Sequence, residues 1–190
     1  MKKTIALAIV VAATLIGCGT EAPAPQKQET NTFACKQENV LAPKWTCVPM
    51  VEGAYAGVGI ANKSAAGMSH MRRVALMNGR SDLAQQIETS VKDRMKGFTQ
   101  TTGVGDTETV DSVTESVTKQ LSQVVLQGSK AVDAWTAPSG ALYLLVTVPE
   151  KQINDKAKDL VKSSLKNDNA LWQQFQAKNA FDDLDKAFNE

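Results

Sequence analysis

Apolar positions recur along the chain with two different periods, and each period predicts an element. Ala54–Ala61 (AYAGVGIA) reads as a strand, with Gly57 and Gly59 marking close approach of another element. From Ser64 to Lys96 the period becomes helical. Met68, Met71, Ala75, Gly79, Leu83, Ile87, Val91 and Met95 follow one another at steps of three and four, forming one face of a long amphipathic helix. Ser64 fits an N-cap and Gly97 a stop. Gly97–Val104 then reads as a short strand. Asp106-Thr107 starts a second helix, in which Val110, Val113, Val117, Leu121, Val124 and Val125 lead to Gly128. Its Val, Ser and Thr content also suits an extended segment. Lys130–Thr136 and Ala141–Val148 form the clearest hairpin, turned by Pro138-Ser139-Gly140. The second of these strands, ALYLLVTV, is almost continuously apolar, which predicts a central position. After Pro149, Ile153, Ala157, Leu160 and Ser164 share a helical face. Leu171, Phe175, Phe181, Leu184 and Phe188 mark a terminal helix from about Asp168, covering the body or offering a face to a partner. The expected fold is α+β: a long amphipathic helix on a small antiparallel sheet, in the order β-α-β-α-β-β, with C-terminal helices.

The first 34 residues follow neither period. Met1-Lys2-Lys3 precedes the apolar run Thr4–Ile16, too short for a spanning helix, and then Gly17-Cys18. Leu15-Ile16-Gly17-Cys18 matches the bacterial lipobox, which implies a signal peptide over 1–17 and lipidation of Cys18 with palmitate among its acyl chains. The rival reading is an ordinary signal peptide with an incidental cysteine. Gly19 in place of Asp after the lipidated cysteine implies export to the outer membrane of a Gram-negative bacterium. Gly19–Thr32 (GTEAPAPQKQETNT) contains no large apolar residue and reads as a flexible spacer, so residues 18–34 form a lipidated tether. Residues 35–190 are then one α+β domain.

Composition sharpens this. The 190 residues carry 21 Lys and Arg against 20 Asp and Glu. Losing Lys2 and Lys3 with the signal leaves 19 against 20, a net charge of −1. That balance argues against a nucleic-acid binder. Three cysteines and one histidine fall short of a zinc ligand set, and no cofactor is expected. Export places Cys35 and Cys47 in an oxidising compartment, where they are expected to cross-link and close a loop over 35–50. Their spacing is wrong for a CxxC redox site. Trp45, inside that loop, is a packing residue or a ligand platform. Trp135 and Tyr143 flank the hairpin turn and face each other across it.

Several of these segments combine into a resemblance. They are the strand Gly57-Val58-Gly59-Ile60-Ala61, a helix carrying Arg72, Ala75, Arg80 and Leu83-Ala84, and the hairpin Trp135-x-x-Pro138-x-Gly140-x-Leu142-Tyr143-x-Leu145-Val146. Together with the lipobox they resemble the Lpp-twenty family of outer-membrane lipoproteins, which includes flagellum-associated members. The resemblance covers roughly residues 52–150 and leaves the disulfide loop and terminal helix outside. It implies a long helix on an antiparallel sheet and a role in envelope assembly, and it carries no catalytic residues.

The residues themselves offer little for catalysis. His70 is the lone histidine and reads as a helix-surface or packing residue. Arg72, Arg73, Arg80 and Arg94 read as a solvated helix face, with an anion site as the sharper alternative. Asp82, Glu88 and Asp93 look like ordinary helix charges, although a two-carboxylate hydrolase stays open. The expected protein is therefore not an enzyme. It is an envelope lipoprotein held to the membrane by Cys18, with protein partners or self-association through a sheet edge or helical face. The alternative is a binding module for a cell-wall ligand, contacted by Trp45, Trp135 and Tyr143.

Overall fold

The computed structural model describes residues 34–189. The expected signal peptide over 1–17, Cys18 and most of the expected tether over 18–34 lie outside the described residues. Two short strands, β1 (Lys36–Gln37) and β2 (Val40–Leu41), form a hairpin, and a 3-10 turn follows at Lys44–Thr46. The body then runs β3 (Ala54–Ala61), α1 (Met68–Thr102), α2 (Thr107–Gly128), β4 (Lys130–Thr136), β5 (Leu142–Pro149), α3 (Glu150–Lys166), α4 (Asn169–Ala177) and α5 (Phe181–Asn189). The fold is α+β. The main sheet is antiparallel in the order β3-β5-β4, so the apolar strand β5 is central, as its composition requires.

Alternation along β5 sorts the two faces of the sheet. Leu142, Leu144, Val146 and Val148 join the main core with Leu83, Ile87, Val91 and Phe98 of α1 and with buried residues of α2 and α3. Tyr143 and Leu145 point to the opposite, outer face and are also buried. Helix α1 lies on the inner face because its side chains there are small. An added Cβ on Gly59 would meet Ala75 O at 1.7 Å, and one on Gly79 would meet Val146 Cγ2 at 2.5 Å.

The expected strand over 97–104 is absent. Helix α1 continues to Thr102, so the body reads β-α-α-β-β between β3 and β5. Phe98 extends the buried stripe by a step of three beyond Met95, and Gly97 sits on the open side of the helix with nothing within 4 Å of an added Cβ. The glycine that ends the helix is Gly103, at φ 62°, whose N–H bonds Thr99 O at 2.7 Å. The start also moves. Ser64 Oγ accepts from Ala66 N in a preceding turn, and the N-cap is Gly67.

Helix α2 forms despite its β-branched content. Val113, Val117, Leu121 and Val125 make one buried stripe, and the Asp106 side chain accepts from Thr109 N at 2.8 Å. Hydrogen bonding from Thr109, by its hydroxyl first and its N–H second, holds the Asp106 carboxyl below its ordinary value. A carboxyl lowered in the folded state contributes stability above its unfolded pKa, and this is lost as pH falls through the folded value. Replacing Asp106 with Ala should therefore lower the denaturation midpoint at pH 7 and have little effect near pH 2. An equal loss at both pH values would remove the capping account.

The terminal helix is two helices, not one. Asp168 caps α4 through Ala170 N and Leu171 N, and the chain breaks at Asn179, with φ 48°. The break lets Phe175 and Phe188 both enter the core, while Phe181 is partly exposed against Phe175 and Trp172. No helix among the described residues is long and apolar enough to cross a membrane.

Candidate functional site

Cys35 and Cys47 are joined, with Cα atoms 5.9 Å apart. Inside the loop, β1 and β2 are turned by Glu38 and Asn39, both in the left-handed region at φ 51° and 65°, as a tight two-residue hairpin requires. Thr46 is buried beside Cys35. Its hydroxyl bonds Pro43 O at 2.9 Å and lies 3.1 Å from Cys35 Sγ. Gln37 Nε2 donates to Thr46 O at 3.4 Å. The loop is thus a small closed module with its own internal bonds.

This module sits on the outer face of the main sheet. Trp45 packs against a buried cluster of Tyr143, Ala137 and Ala141, with Val58 and Trp135 beside it. Its indole Nε1 donates to Asp133 Oδ2 at 2.7 Å. Trp135 and Tyr143 are direct cross-strand partners, and their rings meet edge to face at 5.2 Å. At the hairpin turn, Ser139 N and Oγ donate to Glu38 Oε2 and Oε1 at 2.8 and 2.6 Å.

The structure therefore brings together Cys35, Cys47, Trp45, Trp135 and Tyr143. Their rings are largely spent on holding module to sheet: Tyr143 is 7% exposed, and both tryptophans are half-buried. Cys18 lies outside the described residues. Replacing Trp45 with Ala should cost about 2 kcal/mol, less than a fully buried tryptophan because part of its surface is already in water. It should also speed proteolysis between residues 36 and 46. Unchanged stability and cleavage would show that the indole is not a fastening.

Both edges of the main sheet carry blocking devices. On β3, Asp82 Oδ2 accepts from Val58 N at 3.0 Å and Asn78 Nδ2 donates to Ile60 O at 2.7 Å. On β4, a bulge falls between Ala131 and Asp133, and Asp133 Oδ1 accepts from Ala134 N at 2.7 Å. Such features oppose addition of a further strand. Sequence reasoning missed Glu38, Asn78, Asp82 and Asp133 in these roles, because nothing in their spacing tells a tether from an ordinary surface charge.

The arginines also divide. Arg72 and Arg73 are solvated, as expected. Arg80 Nε donates to Ser129 Oγ at 3.0 Å, tying α1 to the end of α2. Arg94 donates to Ala187 O at 3.1 Å, reaches Glu150 at 3.6 Å and covers the Phe188 ring, fastening α5 to α1. His70 is exposed in the first turn of α1.

An open groove of about 870 Å³ lies between α1 and α2, near their connection. Glu88, Lys92, Asp93, Lys96, Asp111 and Glu115 line it. The Glu88 carboxylate, 2.7 Å from Lys92 Nζ, raises the pKa of that ammonium by hydrogen bonding and charge. The groove sets four carboxylates against two lysines on solvated helix faces, with Glu88 and Lys92 paired.

The three-stranded sheet backed by α1, with the part of the cap that carries Trp45, is the architecture that carries the family signal. Residues 43–149, more than half of the chain, match the LPP20 lipoprotein family, and the chain belongs to that family. A search of curated proteins found no match. The matched segment begins at Pro43, so it takes in Trp45 and Cys47, part of the loop that the sequence resemblance had left outside. Helices α3–α5 fall beyond it. Membership makes the protein a membrane-associated lipoprotein of the cell envelope.

Proposed function

We propose that the protein is anchored in the outer membrane through acylated Cys18 and presents its α+β domain for envelope assembly rather than for catalysis, with the flagellar base as the site of action. The observation that carries this reading is the LPP20 match in a chain whose Leu15-Ile16-Gly17-Cys18 is a lipobox. The non-catalytic part is supported by chemistry. The lone histidine is a solvated helix residue, and the carboxylates of the groove between α1 and α2 are exposed helix-surface groups, one of them paired with Lys92. Blocked sheet edges favour partners that meet a helical face or the cap over partners that add a strand.

Labelling and fractionation test the anchor. Wild-type protein is expected to incorporate labelled palmitate and to sediment with outer membranes, and Cys18→Ser to lose the label entirely. Persisting label in Cys18→Ser would reject the lipobox, and recovery with the inner membrane would reject the address. Deletion of the gene is expected to impair motility, and normal motility would remove the flagellar role. The competing reading, a cell-wall binding module, requires Trp135 to contact ligand. Trp135→Ala is expected to leave retention on purified cell wall unchanged.

A further inference from the structure

Large apolar side chains exposed to solvent are unevenly spread. Five of the eleven among the described residues, Val40, Leu41, Val48, Met50 and Val51, fall within twelve consecutive positions that run from the cap into the segment leading to β3. Leu41 is 72% exposed and Met50 80%. Cys35, Thr46 and Trp45 take up the cap's contact with its own loop and with the sheet. Leu41 and Met50 are the two most open of the five, while Val40, Val48 and Val51 are 37–47% exposed. A cap this small had polar alternatives at every one of these positions, so the concentration calls for an occupant.

We propose that the cap is a second membrane contact, its exposed apolar side chains entering the headgroup–acyl boundary of the bilayer that holds Cys18. The proposal rests on the anchoring reading above. Sixteen residues separate Cys18 from Cys35, so even a fully extended chain keeps the cap within roughly 60 Å of its anchor. The part of the domain that the tether reaches first is thus the part that exposes Leu41 and Met50. Holding a weakly apolar surface that close to a bilayer makes its binding effectively intramolecular, so modest intrinsic affinity suffices. The charges agree. Lys36 and Lys44 are exposed on the same cap, where their ammonium groups can meet lipid phosphates, while Glu38 is drawn back onto Ser139. A second copy fits the same surface less well. An isologous contact would set Lys36 and Lys44 against their own images, with Glu38 turned away.

Methionine oxidation reads this directly, because Met77 on α1 is 62% exposed and serves as an internal reference for Met50. Lipidated protein is bound to vesicles of phosphatidylethanolamine and phosphatidylglycerol and oxidised with dilute peroxide. The comparison is the chain from residue 19 onward, free in solution, which retains the whole compact unit 34–190. The Met50 to Met77 rate ratio is expected to fall several-fold on vesicles, and the pair Leu41→Ser and Val48→Ser to restore it. An unchanged ratio in protein that floats with the vesicles would overturn the contact while leaving the anchor standing. Failure to float would remove both. Protection of Met50 in solution that grows with protein concentration would assign the surface to a second copy instead.

Discussion

Gly59→Ala is expected to destabilise the protein by about 4 kcal/mol or more, enough to lower its folded population sharply. The reason is the closeness of helix to strand. An ideal Cβ at Gly59 would lie 1.7 Å from Ala75 O, 2.5 Å from Gly79 N and 2.8 Å from Ala75 C. All three are backbone atoms in the middle of α1, so no rotamer change relieves the overlap. The helix must move off the sheet by more than an ångström. It would take with it the stripe from Met71 to Phe98 that interlocks with Leu144 and Val146. Gly97 is the control. It lies in the same helix but faces open space, so Gly97→Ala should stabilise by up to about 1 kcal/mol through helix propensity. Urea denaturation of the two variants measures both. A Gly59→Ala midpoint equal to wild type would show that α1 does not depend on this approach.

Removing the disulfide by replacing Cys35 and Cys47 with Ser should cost about 3 kcal/mol, the chain-entropy value for a loop of about a dozen residues. The loss should be local in structure. The cap forms no part of the core shared by α1, α2 and β5, so helical circular dichroism should persist. The outer face of the sheet should open instead. Ala56, Tyr143 and Leu145 would gain water, a hydrophobic dye should bind, and protease should cut between residues 36 and 46. Loss of helical signal in parallel with cap cleavage would mean that cap and body fold as one unit.

The two variants bear on different parts of the architecture, and on different parts of the proposed function. Gly59 governs whether the helix-backed sheet exists at all. The disulfide governs whether that sheet carries a rigid cap. If the cap meets the bilayer, reducing agents should weaken that contact without releasing the lipidated terminus. Loss of Met50 protection in protein still floating with vesicles is the expected outcome.

What the sequence determined by itself was whatever depends on local pattern. The long helix and the hairpin of Trp135 and Tyr143 follow from apolar periods, and the central place of β5 follows from its unbroken apolarity. The second helix, open to an extended reading in the sequence, was decided by the buried stripe it packs. The cysteine pair follows from the expectation of export, which leaves two cysteines besides the one in the lipobox-like motif. Tertiary structure decided the rest, because it turned on what lies opposite each residue. Gly97 and Gly103 look alike in the chain. Only the burial of Phe98 against the core carries α1 through the first and leaves the left-handed stop to the second. Gly59 and Gly97 are likewise equivalent as letters, yet one touches backbone and the other water. Asn179 breaks the terminal helix because two phenylalanines must reach the same core from different directions. Trp45, Glu38, Asp82 and Asp133 act across separations of 24 to 101 residues, where no local period operates.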